Sequence, residues 1–288
     1  MSDYYLATEP GNDPDAVFRN FMRHNLQRAA AQFNITIDGP PVFGWRLRSI
    51  GAPATSPAGR RWLRVVSQEP EWATGDSWTG TADANTIASI RKPHVLDVYE
   101  WSEHDWRNQR AELMTHLPGE LCSSTDALRS DPDLTPEWWT ELTTALATLA
   151  PVQTSRTHAD QAKIDQRIAE RFGPNISTTV TDWETVHGDL HWSNLLRPRF
   201  GLLDWELWGR GPAGLDAATL YCFSLPHPPT AHEVRNRFAR QLGTPTGRVA
   251  QLFVVARLLR RIDGGDFPDL AEPLHSQADA LLGNLASP

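Results

Sequence analysis

At 288 residues, with 40% apolar and 22% charged residues, the chain can bury a sizeable core and has an ordinary globular composition. A net charge of −8 argues against a nucleic-acid partner, because phosphate backbones are met by an excess of Lys and Arg. No apolar run approaches the roughly 20 residues that a membrane span requires. The 2 cysteines, Cys122 and Cys222, stand far apart in no metal-ligand spacing, and Met1-Ser2-Asp3-Tyr4-Tyr5 does not read as a signal peptide. The expectation is therefore a cytoplasmic protein with free thiols and no membrane or nucleic-acid partner.

Asp13-Pro14 has the form of a helix start, with Asp as N-cap and Pro in the first turn. Val17, Phe18, Phe21, Met22 and Leu26 follow at helical spacing, and the helix is expected to end near Phe33. Phe43–Ile50 and Arg61–Val66 alternate like strands, and the small-residue stretch Gly51–Gly59 between them reads as a turn or loop. Such a loop either covers a nucleotide's phosphates or is a plain hairpin turn. A short helix is expected over Thr81–Ile90, ended by Lys92-Pro93, then strands over 95–101 and 109–116. Leu117-Pro118-Gly119 breaks the pattern, and the composition turns helical beyond it. The lobe boundary is placed there, giving 1–117 and 118–288.

Thr135-Pro136 opens a helix whose apolar face carries Trp138, Trp139, Leu142, Leu146 and Leu149. Further helices are expected at 158–172, 214–224, 230–242, across Val249–Ile262, and at 271–283. Between them, Leu195-Leu196 and Leu202-Leu203 flank the turn-rich Arg197-Pro198-Arg199-Phe200-Gly201, which reads as a β-hairpin. A hairpin brings its ends together, so Asn194 and Asp204 can converge, with Asp189 close by on a tight loop opened by Gly188. Two acids and an amide oxygen make a hard-oxygen site suited to Mg²⁺, with one carboxylate to spare for an incoming hydroxyl.

The string His187-Gly188-Asp189-Leu190-His191-x-x-Asn194-Leu195-Leu196, followed by Leu202-Leu203-Asp204-Trp205-Glu206, resembles the aminoglycoside phosphotransferase and choline kinase group of the protein-kinase-like fold. The resemblance covers about 40 to 285. It implies an α+β, bilobal fold with a small, mostly antiparallel β N-lobe for the nucleotide and a larger helical C-lobe for catalysis and the acceptor. It also implies an ATP-dependent phosphotransferase acting on a hydroxyl of a small, amino-bearing, aminoglycoside-like molecule. Asp189 would then be catalytic, orienting or accepting the hydroxyl proton, with Asn194 and Asp204 holding Mg²⁺ on the ATP phosphates. Arg64 falls where the group's strand carries a Lys for the phosphates, and the backbone of Met114, Thr115, His116 and Leu117 would meet the adenine. Gly211-Pro212-Ala213-Gly214-Leu215-Asp216 matches a pattern in which the Asp helps hold the catalytic loop.

Plainer readings stand beside these. Asp189 and Asn194 are also common turn caps. His187 reads as a structural hydrogen-bonding residue, His191 as either near the substrate or local support, and Glu206 as either part of the metal shell or a loop stabiliser. Arg64 is the main departure from the pattern, since Arg is planar and bidentate where Lys is a compact charge. The helix expected at Thr81–Ile90 also offers no Glu to pair with it. Two classes of function follow: a small-molecule kinase, or a catalytically weak kinase-fold module that binds nucleotide and a protein or peptide partner.

Overall fold

The computed structural model describes residues 13–285, so Met1–Tyr5 lies outside the described residues. The chain forms two compact units, one running to Thr86 and resuming over Pro93–Pro118, the other comprising Ile87–Lys92 and Gly119 onward.

The first unit opens with α1 (Pro14–Gln32), capped by Asp13, whose side chain accepts from Asp15 N at 3.1 Å. Two short strands, β1 (Thr36–Ile37) and β2 (Val42–Phe43), precede the long hairpin of β3 (Ser49–Ser56) and β4 (Gly59–Gln68). Helix α2 (Asp76–Asp83) and strands β5 (Val95–Glu103) and β6 (Arg107–Thr115) complete an antiparallel sheet ordered β1-β3-β4-β6-β5, with β2 also on β3. Met22, Leu26, Ala29 and Ala30 of α1 pack on Ile50, Ala52, Leu63, Val65 and Ala111 of the sheet.

Several expected boundaries shift. The run Phe43–Ile50, read as one strand, is broken by a 3-10 turn over Trp45–Leu47, so that β2 ends at Phe43 and β3 starts at Ser49, and the helix expected at 230–242 is two, over Pro228–Arg237 and Ala239–Leu242. The stretch read as a Gly51–Gly59 loop is strand β3 as far as Ser56, in register with β4 from Ser49↔Val66 to Ser56↔Gly59. Its small residues serve packing. Ala52 and Ala54 are fully buried, and a Cβ on Gly51 would lie 2.8 Å from the Trp62 indole nitrogen. The helix expected at Thr81–Ile90 begins earlier and ends at Asp83. Beyond it, Asn85 turns its amide to β5, donating to Val95 O at 2.7 Å and accepting from Val95 N at 3.0 Å, which draws the chain out of the helix.

The second unit carries β7 (Glu120–Leu121), α3 (Pro136–Leu149), α4 (Gln161–Phe172), β8 (Trp183–Val186), β9 (Leu195–Arg197), β10 (Gly201–Leu202) and β11 (Gly209–Pro212). Helices α5 (Leu215–Ser224), α6 (Pro228–Arg237), α7 (Ala239–Leu242), α8 (Pro245–Asp263) and α9 (Ala271–Leu285) follow. Strands β10, β9 and β7 form one small sheet, and β8 pairs with β11 in another. The α3 face is set against the hairpin: Trp138 donates its indole N–H to Leu196 O at 2.7 Å and meets Phe200 edge to face at 5.7 Å. Helix α5 is buried along its whole length, and α8 buries Val249 through Ala256, which makes them the centre of this unit. Among the described residues, no helix is long and apolar enough to cross a membrane.

Candidate active site

Strand β8 leads directly into His187-Gly188-Asp189. Gly188 has φ +84, and a Cβ there would come within 2.3 Å of His158 Nδ1 and 2.7 Å of Leu207 O, so the sharp turn requires glycine. Asp216, at the start of α5, holds the turn from behind. Its Oδ2 accepts from His187 N at 2.7 Å and its Oδ1 from Gly188 N at 2.9 Å. Burial pushes its carboxyl up to about 7, and the two N–H donors act against that. His187 is fully buried, and burial lowers its imidazole to about 4. The neutral ring spans to Leu203 O through Nε2 at 2.9 Å, a structural link of the kind expected for this residue.

The hairpin converges as its register requires. Gly201 faces Leu196 and Leu202 faces Leu195, and the next pair outward is tied by Leu203 N donating to Asn194 O at 2.9 Å. Asp204 is the residue after that tie and adopts φ +57, a left-handed conformation uncommon outside glycine that clusters at functional sites. Asn194 donates Nδ2 to Asp189 O at 3.0 Å, an orientation that turns its Oδ1 away from that contact. Asp189, Asn194 and Asp204 therefore come together within one unit through one hydrogen-bonded frame.

Asp189 is about one-quarter exposed. Its Oδ2 lies 3.2 Å from His191 Nε2 and its Oδ1 3.9 Å from Arg257 Nη1. Burial opposes its charge, but His191, Arg257 and His187 outweigh that and hold the carboxyl well below the usual range. Burial likewise disfavours a charged His191, and Asp189, Asp126 and Asp204 overcome it and raise its pKa. A carboxylate kept ionised in a partly shielded loop is suited to accept a hydrogen bond from a hydroxyl. Asp204 and Asn194 Oδ1 are hard-oxygen donors of the kind a divalent cation takes. Among the described residues no group of three or more His, Cys, Asp or Glu makes a self-sufficient metal site, so a cation here would complete its shell from phosphate and water oxygens.

Arg64 and the segment 114–117 belong to the first unit. Arg64 lies mid-way along β4, with Nη1 3.4 Å from Glu112 Oε2 and 3.4 Å from Thr81 Oγ1. Met114 and Thr115 end strand β6, where Thr115 bonds His94 through its own N–H and Oγ1. His116 and Leu117 follow beyond the ladder, half-buried.

The family model for phosphotransferase enzymes matches residues 82–253, more than half of the chain. The chain belongs to this family. This phosphotransferase is also similar in fold to solved aminoglycoside phosphotransferase APH(4)-Ia. A ternary complex of that enzyme with ADP and hygromycin B aligns at TM-score 0.59 and 15% identity, over 91% of this chain and 99% of that one. The Plasmodium vivax ethanolamine kinase aligns at TM-score 0.53 and 12% identity over 96% of both chains. The amicoumacin kinase hAmiN, in complex with AMP-PNP, Ca²⁺ and Ami, aligns at TM-score 0.50 and 14% identity over 90% and 92%. No curated protein sequence is significantly similar. The protein-kinase-like fold and the resemblance to the aminoglycoside phosphotransferase and choline kinase group are thus borne out.

Four residues of this phosphotransferase escape motif reading. Glu112, on the strand beside Arg64, is its ion-pair partner and also meets Arg110 Nε at 3.1 Å. The alternating Gln109–Thr115 pattern contains it but does not single it out. Asp126 lies in a Ser- and Thr-rich loop with no motif. Arg257 interrupts the apolar face of α8 between buried Ala256 and Leu258, which is the one sequence signal it carries. Lys92 is 2% exposed, stands 5.7 Å from the Trp205 ring centre, and has no hydrogen-bond partner for Nζ among the described residues. Burial lowers its pKa to about 8.

Proposed function

We propose that the protein transfers the γ-phosphoryl group of ATP to a hydroxyl of a small, amino-bearing acceptor. The observation that carries this reading is the hairpin frame that sets Asp189, Asn194 and Asp204 together, with Asp204 in a left-handed conformation and Asp189 held ionised. Phosphoryl transfer asks a protein for positioning and charge neutralisation rather than covalent chemistry, and this arrangement offers both. Asp189 receives the acceptor's hydroxyl. Asp204 and Asn194 are the donors for a Mg²⁺ ion, which when bound neutralises the phosphate charge. Arg64, fixed by Glu112, faces the phosphates, and the backbone of Met114–Leu117 meets the adenine. In this division residues 1–117 serve the nucleotide and 118–288 serve catalysis and the acceptor.

Related solved proteins support the choice of ligands. They include complexes with ADP or AMP-PNP beside hygromycin B, a complex with AMP-PNP and Ca²⁺, and an ethanolamine kinase. Amine-bearing acceptors are accordingly the first class to test. The experiment is an ATP-consumption screen over amino sugars, choline-like amines and amino alcohols, paired with thermal shift by Mg·ATP. Acceptor-dependent turnover supports the kinase. A shift by Mg·ATP without turnover on any acceptor favours a nucleotide-binding module that holds a peptide or protein.

A further inference from the structure

Asp189 presents its carboxylate between two side chains from different elements. His191, two residues on in the same loop, places Nε2 3.2 Å from Oδ2. Arg257, from the middle of α8, places Nη1 3.9 Å from Oδ1. Arg257 reaches in from outside the hairpin, whereas His191 is also tied into the frame, its Nε2 lying 3.1 Å from Asn194 Nδ2. The same Arg257 nitrogen donates to Gly188 O at 3.2 Å, and Nη2 donates to Thr219 Oγ1 of α5 at 3.4 Å. His191 Nδ1 lies 3.0 Å from Ser193 Oγ, which donates to Asp126 Oδ1 at 3.0 Å. The Phe223 ring stands edge-on to the imidazole at 5.6 Å.

A guanidinium among the buried residues of an apolar helix is expensive unless it is paired and hydrogen-bonded. Arg257 spends its donors on the catalytic loop. An ion pair at 3.9 Å between partly exposed groups adds little to stability, so its value is in orientation. The terminal torsion of an Asp is a broad rotor, whereas in-line transfer requires the acceptor hydroxyl in one place. A partner on each oxygen removes that freedom.

We infer that Arg257 and His191 are positioning residues for phosphoryl transfer, forming a two-sided clamp that fixes the carboxylate plane of Asp189. This rests on reading Asp189 as the residue that receives the acceptor hydroxyl. Arg257 bonds the Asp189 loop and Thr219, so its half of the clamp is read in kcat with nucleotide binding unchanged, whereas His191 also touches Asn194.

The test compares Arg257→Met, Arg257→Lys, His191→Ala and His191→Gln with the wild type, each also in an Asp189→Ala background. Arg257→Met is expected to lower kcat on the order of 10²-fold with the KM for ATP unchanged, and His191→Ala to lower kcat on the same order with a rise in the KM for Mg·ATP as well, because Asn194 loses a neighbour. Arg257→Lys and His191→Gln, which keep a donor, recover part of the loss. In the Asp189→Ala background the Arg257 changes have no further effect, because the group they orient is gone. Wild-type kcat in Arg257→Met and His191→Ala overturns the clamp. So does a further loss when Arg257→Met is added to Asp189→Ala, or an equal rise in the ATP KM of Arg257→Met. If Arg257→Met does not fold, as judged by thermal unfolding, Arg257→Lys carries the same comparison. If the wild type itself transfers phosphate to no acceptor, the proposed function has failed, and the clamp is then judged by a crystal structure of Arg257→Lys or Arg257→Met. A turned Asp189 carboxylate supports it, and an unchanged one overturns it.

Discussion

The β9–β10 hairpin and the sheet of the first unit hold their polar groups in different ways. Around the hairpin, the frame is local in sequence. His187, Gly188, Asp189, Asn194, Leu203 and Asp216 tie one another within 30 residues, each bond using a main-chain group and all but one a side chain. In the sheet, Arg64 is held by Thr81 and Glu112, side chains 17 and 48 positions away. A frame in which particular side chains meet nearby main-chain groups fixes residue types at fixed spacings, which is why a short string can announce it. A side-chain pair made across neighbouring strands leaves the choice of partner open, so the same electrostatic task can be met by different residues.

That contrast can be broken by substitution, beginning with the hairpin. Replacing Asp189 by Ala is expected to lower kcat by roughly 10²- to 10⁴-fold, the range for removing a positioned acid–base group, while Mg·ATP binding persists. Steady-state kinetics with calorimetry on the same variant checks both halves. Asp204→Ala is expected to weaken Mg²⁺-dependent ATP binding roughly 10- to 100-fold, and calorimetry with and without Mg²⁺ reads it. An unchanged Mg²⁺ dependence would remove Asp204 from the metal shell.

The sheet should respond more mildly. Arg64→Ala is expected to raise the KM for ATP by about tenfold, the loss of one charge-assisted contact. An unchanged KM would show that another cation meets the phosphates. Glu112→Gln tests the pairing itself and should move the KM in the same direction by less.

The smallest expected effect concerns Lys92. Its folded pKa is lowered to about 8 from 10.5, so the unfolded chain binds more protons between those values. Stability contributed by this group therefore rises with pH from about 8 toward 10.5, and the charged form is penalised below that window. Lys92→Met keeps the packing on Trp205 and should flatten the slope, as pH-dependent chemical denaturation would show. A slope that survives the substitution belongs to another group.

The hairpin, its boundaries and the meeting of Asn194 with Asp204 were legible in the sequence because the register of two short strands follows from the turn between them. The helices were legible for a related reason: Asp13-Pro14 and Thr135-Pro136 cap their own first turns. What failed depended on distant partners. Gly51–Ser56 has a loop's composition, and it is a strand because it pairs residue by residue with β4, with Gly51 leaving room for Trp62. Asn85 ends its helix early through bonds to Val95, a partner that propensity does not contain. Arg257 and Asp126 reach the 187–194 loop from 68 positions downstream and 63 upstream of Asp189, and no local pattern marks either as its neighbour.

The central claim is that Asp189, in its hydrogen-bonded frame, places a small-molecule hydroxyl for phosphoryl transfer. Its most direct test is mass-spectrometric detection of a phosphorylated acceptor in the amine and amino-sugar panel, with wild type and Asp189→Asn run side by side under saturating Mg·ATP. The account predicts a product that gains one phosphoryl group with the wild type and roughly 10²-fold less of it, or lower, with Asp189→Asn, although both bind Mg·ATP. Equal product from the two proteins, or Mg·ATP binding by the wild type with no phosphorylated acceptor, would contradict it.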